Sequence, residues 1–142
     1  MLFRSKRLLR PGGCLLAATN SAANMPELKT LQTQVMELLG MDVSSINWPR
    51  SVLSFNLENG ADLFAPYFAR VARHDLPGAL VFPEAQPLID YLSSMRQRYL
   101  ALMPAGITWE AVAGALEKVL FAHINTHGHY RVSKLAGTFV CC

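Results

Sequence analysis

The chain has 142 residues, 51% of them hydrophobic and 16% charged, with a net charge of +3. That composition excludes a disordered polypeptide and allows one domain with a core of its own. It also lacks the basic stripe that holds nucleic acid. The one basic cluster, Arg4, Lys6, Arg7 and Arg10, reads as a solvated helix face, so no nucleic-acid partner is expected. No apolar run reaches membrane-spanning length. The basic front followed by CLLAA mimics a signal peptide only faintly, because Pro11-Gly12-Gly13 breaks it. Cys14 sits in an apolar run and Cys141-Cys142 close the sequence, which does not suggest a disulfide framework. The expectation is a cytoplasmic protein in a reducing compartment, with no membrane partner.

In chain order, residues 5–10 read as the last turns of a helix, with basic residues at the negative end of the helix dipole. Pro11 stops it, and Gly12 and Gly13 permit a tight reversal. Cys14 to Thr19 is then read as a short strand, apolar at every position and not at alternate ones. Such a strand is expected at the centre of a parallel sheet, covered on both faces. Asn24 and Glu27 form a capping-box pattern for a helix that carries Leu28, Leu31, Val35, Leu38 and Leu39 and ends at Gly40. Residues 42–57 look irregular. Asn59-Gly60 opens a short helix with Leu63, Phe64, Tyr67 and Phe68.

Arg70 to Leu76 reads as a strand, Pro77-Gly78 as a turn, and Ala79 to Phe82 as a brief extended run. A helix starting near Pro87 places Leu88, Leu92, Met95 and Tyr99 on one face. Thr108 caps a longer helix with Val112, Leu116, Val119, Leu120 and Ile124 inward, His123 and His127 near its end, and Gly128 closing it. Tyr130 to Ser133 and Thr138 to Cys142 read as strand, with Gly137 marking a bulge or turn between them.

The phrase Leu8-Leu9-Arg10-Pro11-Gly12-Gly13 before CLLAATNS resembles the turn before the fifth strand of class I S-adenosylmethionine-dependent methyltransferases. Phe55-Asn56-Leu57-Glu58-Asn59-Gly60, the helix ending Tyr67-Phe68, RVARHDL, DYLSSM and HYRVSKLAGTFV are similar to later phrases of one branch of that family, in the same order. The resemblance runs from about Lys6 onward. It implies an α/β fold: an incomplete Rossmann-like methyltransferase sheet, later strands only, with several helices. Residues 1–142 would be a single partial domain, the C-terminal, substrate-side half. The family holds its methyl donor on its first strands, through a glycine-rich loop and an acidic residue. No GxGxG occurs here. The implied function is therefore a fragment of an enzyme that methylates a small molecule, inactive alone because the strands that bind S-adenosylmethionine are missing. Cofactor binding by this chain is not expected. Leu2-Phe3-Arg4-Ser5 matches what read-through of a sequencing-adapter DNA would encode, so residues 1–5 are expected to be non-native.

Methyl transfer depends mainly on positioning the acceptor. Thr19, Asn20 and Ser21, at the C-terminal end of the buried strand, are the candidate substrate-binding residues, joined by Glu58 and Asn59 from the following segment. Turn chemistry and a helix cap by Asn59 account for the same residues. No catalytic residue is assigned. His123 and His127, four apart with His129 nearby, have metal-binding spacing but no HExxH acid, so no metal is expected. His74 and Asp75 are neighbours on a strand and point to opposite faces. Trp48, Phe55, Tyr67 and Tyr91 are packing residues first and a candidate cap over a substrate second. An alternative function is a non-catalytic interaction domain that pairs with a partner chain through an exposed strand edge. The same edge predicts self-association. A third alternative is a small helical protein holding zinc on its histidines.

Overall fold

Helix-breaking and helix-forming residues act where their chemistry dictates. In the computed structural model, which describes residues 2–43, 55–101, 103 and 106–142, helix α1 (Leu2–Leu8) ends before Pro11. Gly12 takes φ +78°, and the Gly13 N–H donates to the Arg10 carbonyl at 2.9 Å, closing the reversal. The elements that follow are β1 (Leu15–Asn20), α2 (Pro26–Leu38), α3 (Gly60–Phe64), β2 (Val71–Phe82), α4 (Gln86–Ser93), α5 (Arg96–Leu100), α6 (Trp109–His127) and β3 (Tyr130–Cys141). The chain is mixed α/β, and its three strands form an antiparallel sheet in the order β1-β3-β2. The described residues fall into two compact units: residues 2–25, 55–78 and 133–142 make the first, and residues 26–43 and 79–132 make the second.

The first unit is built on the sheet. Among the described residues β1 pairs with β3 alone, from Leu15 opposite Cys141 to Asn20 opposite Ala136. At the other side of β3, Arg70 and Cys142 exchange both backbone hydrogen bonds, at 3.0 and 2.9 Å, which is the antiparallel pattern. One face carries Phe139 and Cys141, both fully buried. They pack with Leu57, Phe64 and Phe68, and with the half-buried Leu9, Leu15, Ala17, Phe55 and Tyr67. The Phe64 ring lies 5.4 Å from Phe55, 5.6 Å from Phe139 and 6.0 Å from Phe68, the spacing of interlocked aromatic rings. Gly60 starts α3 directly on this cluster, where a Cβ would run into the Phe139 ring.

The second unit is helical. α2 and α4 each pack on α6. Leu31, Val35 and Met36 of α2, Leu88, Ile89 and Leu92 of α4, and Val112, Ala115, Leu116 and Leu120 of α6 are buried, at the three- and four-residue spacing that puts them on one face. The Thr108 hydroxyl accepts the Ala111 N–H at 3.3 Å, and Gly128 at φ +80° ends α6 by donating to the Ile124 carbonyl.

Several expectations are corrected. The strand after the PGG turn is not a central parallel strand covered on both faces. It is an edge strand whose residues alternate between half-buried and exposed, and Leu16 is 69% exposed. Asn24 does not cap α2: its Oδ1 accepts the Leu135 N–H at 2.9 Å, and the helix starts at Pro26. Pro77-Gly78 does not turn the chain; β2 runs unbroken from Val71 to Phe82. β3 also runs through Gly137, where the reason for glycine is space: a Cβ would lie 2.6 Å from the His74 carbonyl oxygen. The single helix expected from Pro87 to Tyr99 is two, α4 and α5, divided at Ser94-Met95. Cys14 and Cys142 are joined by a disulfide, because the β1–β3 register that sets Leu15 opposite Cys141 also sets Cys14 opposite Cys142, with Cα atoms 4.4 Å apart. The argument for a reducing compartment rested on there being no disulfide and loses that premise. Cys141 is a buried free thiol, and burial raises its pKa. Among the described residues, no helix is long and apolar enough to cross a membrane. Residues 44–54, including Trp48, lie outside the described residues.

Candidate functional site

The end of β1 and the segment Phe55–Gly60 are joined by a run of hydrogen bonds. The Thr19 hydroxyl donates to the Phe55 carbonyl at 3.0 Å, and the Asn20 carbonyl accepts the Leu57 N–H at 3.2 Å. Ser21 then enters the interior, 3% exposed. Its hydroxyl donates to Glu58 Oε1 at 2.7 Å and accepts the Ala23 N–H at 3.0 Å. The Ala22 N–H donates to Glu58 Oε2 at 2.8 Å. Both oxygens of this exposed carboxylate are therefore engaged. The Ala22 N–H first, and the Ser21 hydroxyl second, lower its pKa, and Arg73 adds to the effect. Glu58 is a clamp across the turn after β1, and it stays ionised at neutral pH.

The Glu58 segment is shaped by two asparagines. Asn56 Oδ1 accepts the N–H groups of Glu58 and Asn59 at 3.1 and 2.9 Å, while Asn59 Oδ1 accepts the Asn56 N–H at 2.8 Å. This reciprocal pairing has the logic of a capping box. Asn59 occupies the N-cap position of α3 without making a side-chain cap bond, so the cap expected from it is corrected to the Asn56–Asn59 pair. From β2, Arg73 Nη1 donates to the Leu57 carbonyl at 2.8 Å, and Nη2 donates to Asp75 Oδ2 at 2.8 Å. Arg73 lowers the Asp75 pKa, so the carboxylate is held by Arg73 while His74 projects to the other side of the strand.

The five candidate residues Thr19, Asn20, Ser21, Glu58 and Asn59 thus come together from two groups 37 to 40 residues apart in sequence. They divide by role. Thr19 and Asn20 line an open cleft of about 340 Å³ with Ala18, Leu76, Ala136, Gly137 and Thr138. Ser21, Glu58 and Asn59 are outside that lining: Ser21 and Glu58 hold the turn that ends β1, and Asn59 shapes the Glu58 segment through Asn56. The cleft offers hydroxyl and amide groups over an apolar floor. It can orient a small neutral molecule, and among the described residues its lining includes no acid, base or thiolate. Sequence reasoning missed Asn56 and Arg73; the N-x-x-N spacing of Asn56 and Asn59 was the available signal for the first. Of the proposed aromatic cap, Phe55 and Tyr67 belong to the cluster under the sheet and Tyr91 to α4 in the second unit.

In the second unit, His123, His127, His129, Tyr130, Arg131, Glu27, Thr30 and Gln34 line a groove of about 470 Å³. Burial, then the neighbouring His127 and His129, lower the His123 pKa. Among the described residues, no three His, Cys, Asp or Glu side chains gather as a metal cage. In comparison with known proteins, no protein-family model matches the chain and no curated protein matches it.

Proposed function

We propose that this chain carries the acceptor-side part of a Rossmann-like α/β methyltransferase fold acting on a small molecule, with S-adenosylmethionine as the methyl donor of the complete enzyme. The ordered phrases from Lys6 onward motivate the reading. The observation that carries it is the convergence of Thr19, Asn20, Ser21, Glu58 and Asn59 at the C-terminal end of β1, beside a cleft that suits a small polar molecule. Methyl transfer needs its acceptor positioned more than it needs an acid or base. The Thr138 hydroxyl and the Asn20 amide beside apolar residues suit that demand. The donor would be held by a glycine-rich strand-loop-helix, which the 142 residues do not contain. Among the described residues no strand pairs with the outer edge of β1, where only the Asn20 carbonyl is shown accepting the Leu57 N–H, and this edge is the place where a further strand would add.

Calorimetric titration tests the division of labour. The chain is expected to show no saturable heat with S-adenosylmethionine at micromolar concentration. Micromolar binding overturns the claim that the donor site lies elsewhere. A screen of small neutral acceptors by amide chemical shift is expected to move Thr19, Asn20, Ala136 and Thr138; shifts confined to the second unit overturn the acceptor-site assignment. The same β1 edge, with Leu16 exposed beside it, also supports a second reading: a non-catalytic domain that pairs through β1 with a strand of a partner chain or of a second copy. A light-scattering mass of one chain at high concentration, with no polypeptide co-purifying, counts against that reading.

A further inference from the structure

We infer that His123 and His127 form a two-imidazole site for a divalent transition metal ion, with water completing the coordination. The two residues stand four apart on α6 and so share one helix face on successive turns. Their rings lie 4.2 Å apart between centroids and 24° from parallel. Metal–nitrogen bonds of about 2.0–2.1 Å set two ligand nitrogens about 3 Å apart with each lone pair in its ring plane, so the His123 ring must turn out of the stack to share an ion with His127.

His127 is held in place. His127 Nδ1 lies 3.0 Å from the His123 carbonyl oxygen. A carbonyl only accepts, so Nδ1 carries the hydrogen in the neutral ring, and Nε2 keeps the lone pair that a metal needs. A ring nitrogen bonded to a carbonyl behind the ligating nitrogen is the usual support of a metal-bound histidine. The His123 ring meets Tyr130 edge-on at 4.8 Å, and the Tyr130 hydroxyl donates to the Glu27 carbonyl at 3.0 Å, tying that ring to the start of α2. The groove of about 470 Å³ in front of the pair leaves room for water ligands. Glu27 and Arg131 on its lining carry opposite charges, so their contributions to its field oppose each other. Imidazole favours zinc, nickel and copper over magnesium and calcium, which fixes the class of ion. Two protein ligands make a chelate, not a cage, in keeping with the absence of a third among the described residues.

The test titrates the full chain, stripped with chelator and kept oxidised, with zinc and nickel chloride separately by calorimetry. One ion per chain is expected. His127→Ala and His123→Ala are each expected to weaken binding at least about tenfold. His74→Ala, in the other unit, is expected to leave it unchanged. His127 is exposed in the last turn of α6, so its substitution does not disturb packing, and an unchanged melting temperature verifies this. Absence of saturable binding below about 1 mM, a free energy near −4 kcal/mol, overturns the inference. Binding that survives both histidine substitutions also overturns it, by placing the ion elsewhere.

Discussion

The two units solve the problem of a core differently. The first gathers three stretches, residues 2–25, 55–78 and 133–142, around one sheet face and closes them with a disulfide spanning 128 positions. The other face stays open enough that Leu16 and Leu76 are 69% and 72% exposed. The second buries leucine and valine stripes of α2, α4 and α6 against one another, and these come largely from continuous helices. The difference teaches that the sheet unit depends on a few long-range ties, whereas the helical unit depends on repeated local patterns. It also explains why the candidate acceptor site lies in the first unit. Residues from distant parts of the chain meet there, at the end of a strand.

The sharpest way to break this comparison is to remove the longest tie. Reducing Cys14–Cys142, or replacing both with serine, is expected to cost about 5 kcal/mol in the loop-entropy view of a bridge this long. Amide exchange should rise in β1 and in residues 133–141 while α6 keeps its protection. Equal loss in both units would show that they are not held separately. Leu116→Ala, in the core of the helical unit, should cost about 3 kcal/mol through lost burial and a cavity, read as a lower midpoint in urea. That loss should begin with exchange in α2 and α4, the reverse of the first pattern.

A pH titration sharpens the contrast next. Burial pushes the Tyr99 pKa to about 12, above its ordinary value of about 10. Below pH 10 the phenol is protonated in both folded and unfolded chains, and its contribution is intact. As pH rises from about 10 to about 12 the unfolded chain gives up the proton first. Stability then falls by up to about 1.4 kcal/mol per pH unit. Tyr99→Phe should flatten this part of the profile, measured by urea denaturation between pH 9 and about 11.5.

The smallest effect belongs to the clamp. Glu58→Gln replaces one carboxylate oxygen with an amide, so it loses one of the two bonds to Ser21 and Ala22. It should cost less than about 1 kcal/mol at this exposed position. The Glu58 pKa is lowered in the folded chain, so its contribution is present above the ordinary carboxylate range. It is lost as pH falls through the lowered folded value. Wild type and Glu58→Gln should therefore converge in stability in acid. A gap that persists there would mean that shape, not charge, holds the turn.

How much could be read beforehand follows the same division. The stripe Val112, Leu116, Leu120 and the caps Thr108 and Gly128 announced α6, because helix signals act over three or four residues. The turn at Pro11-Gly12-Gly13 and the pairing of Asn59 with Gly60 at the head of α3 were equally local. Candidate residues Thr19 to Ser21 and Glu58 were found from the resemblance, but their hydrogen bonds were not, since nothing local links positions 21 and 58.

The sequence by itself determined the two ends of α6, which helix faces are apolar, and the reversal at Pro11-Gly12-Gly13, since these are written in neighbouring side chains. Only the tertiary structure decided that β1 is an antiparallel edge, that β2 and β3 run unbroken, that Gly137 makes room for the His74 carbonyl, and that Cys14 meets Cys142. The β1–β3 register is set by contacts between residues more than a hundred positions apart, and an alternation of side chains along one strand does not say which strand lies beside it.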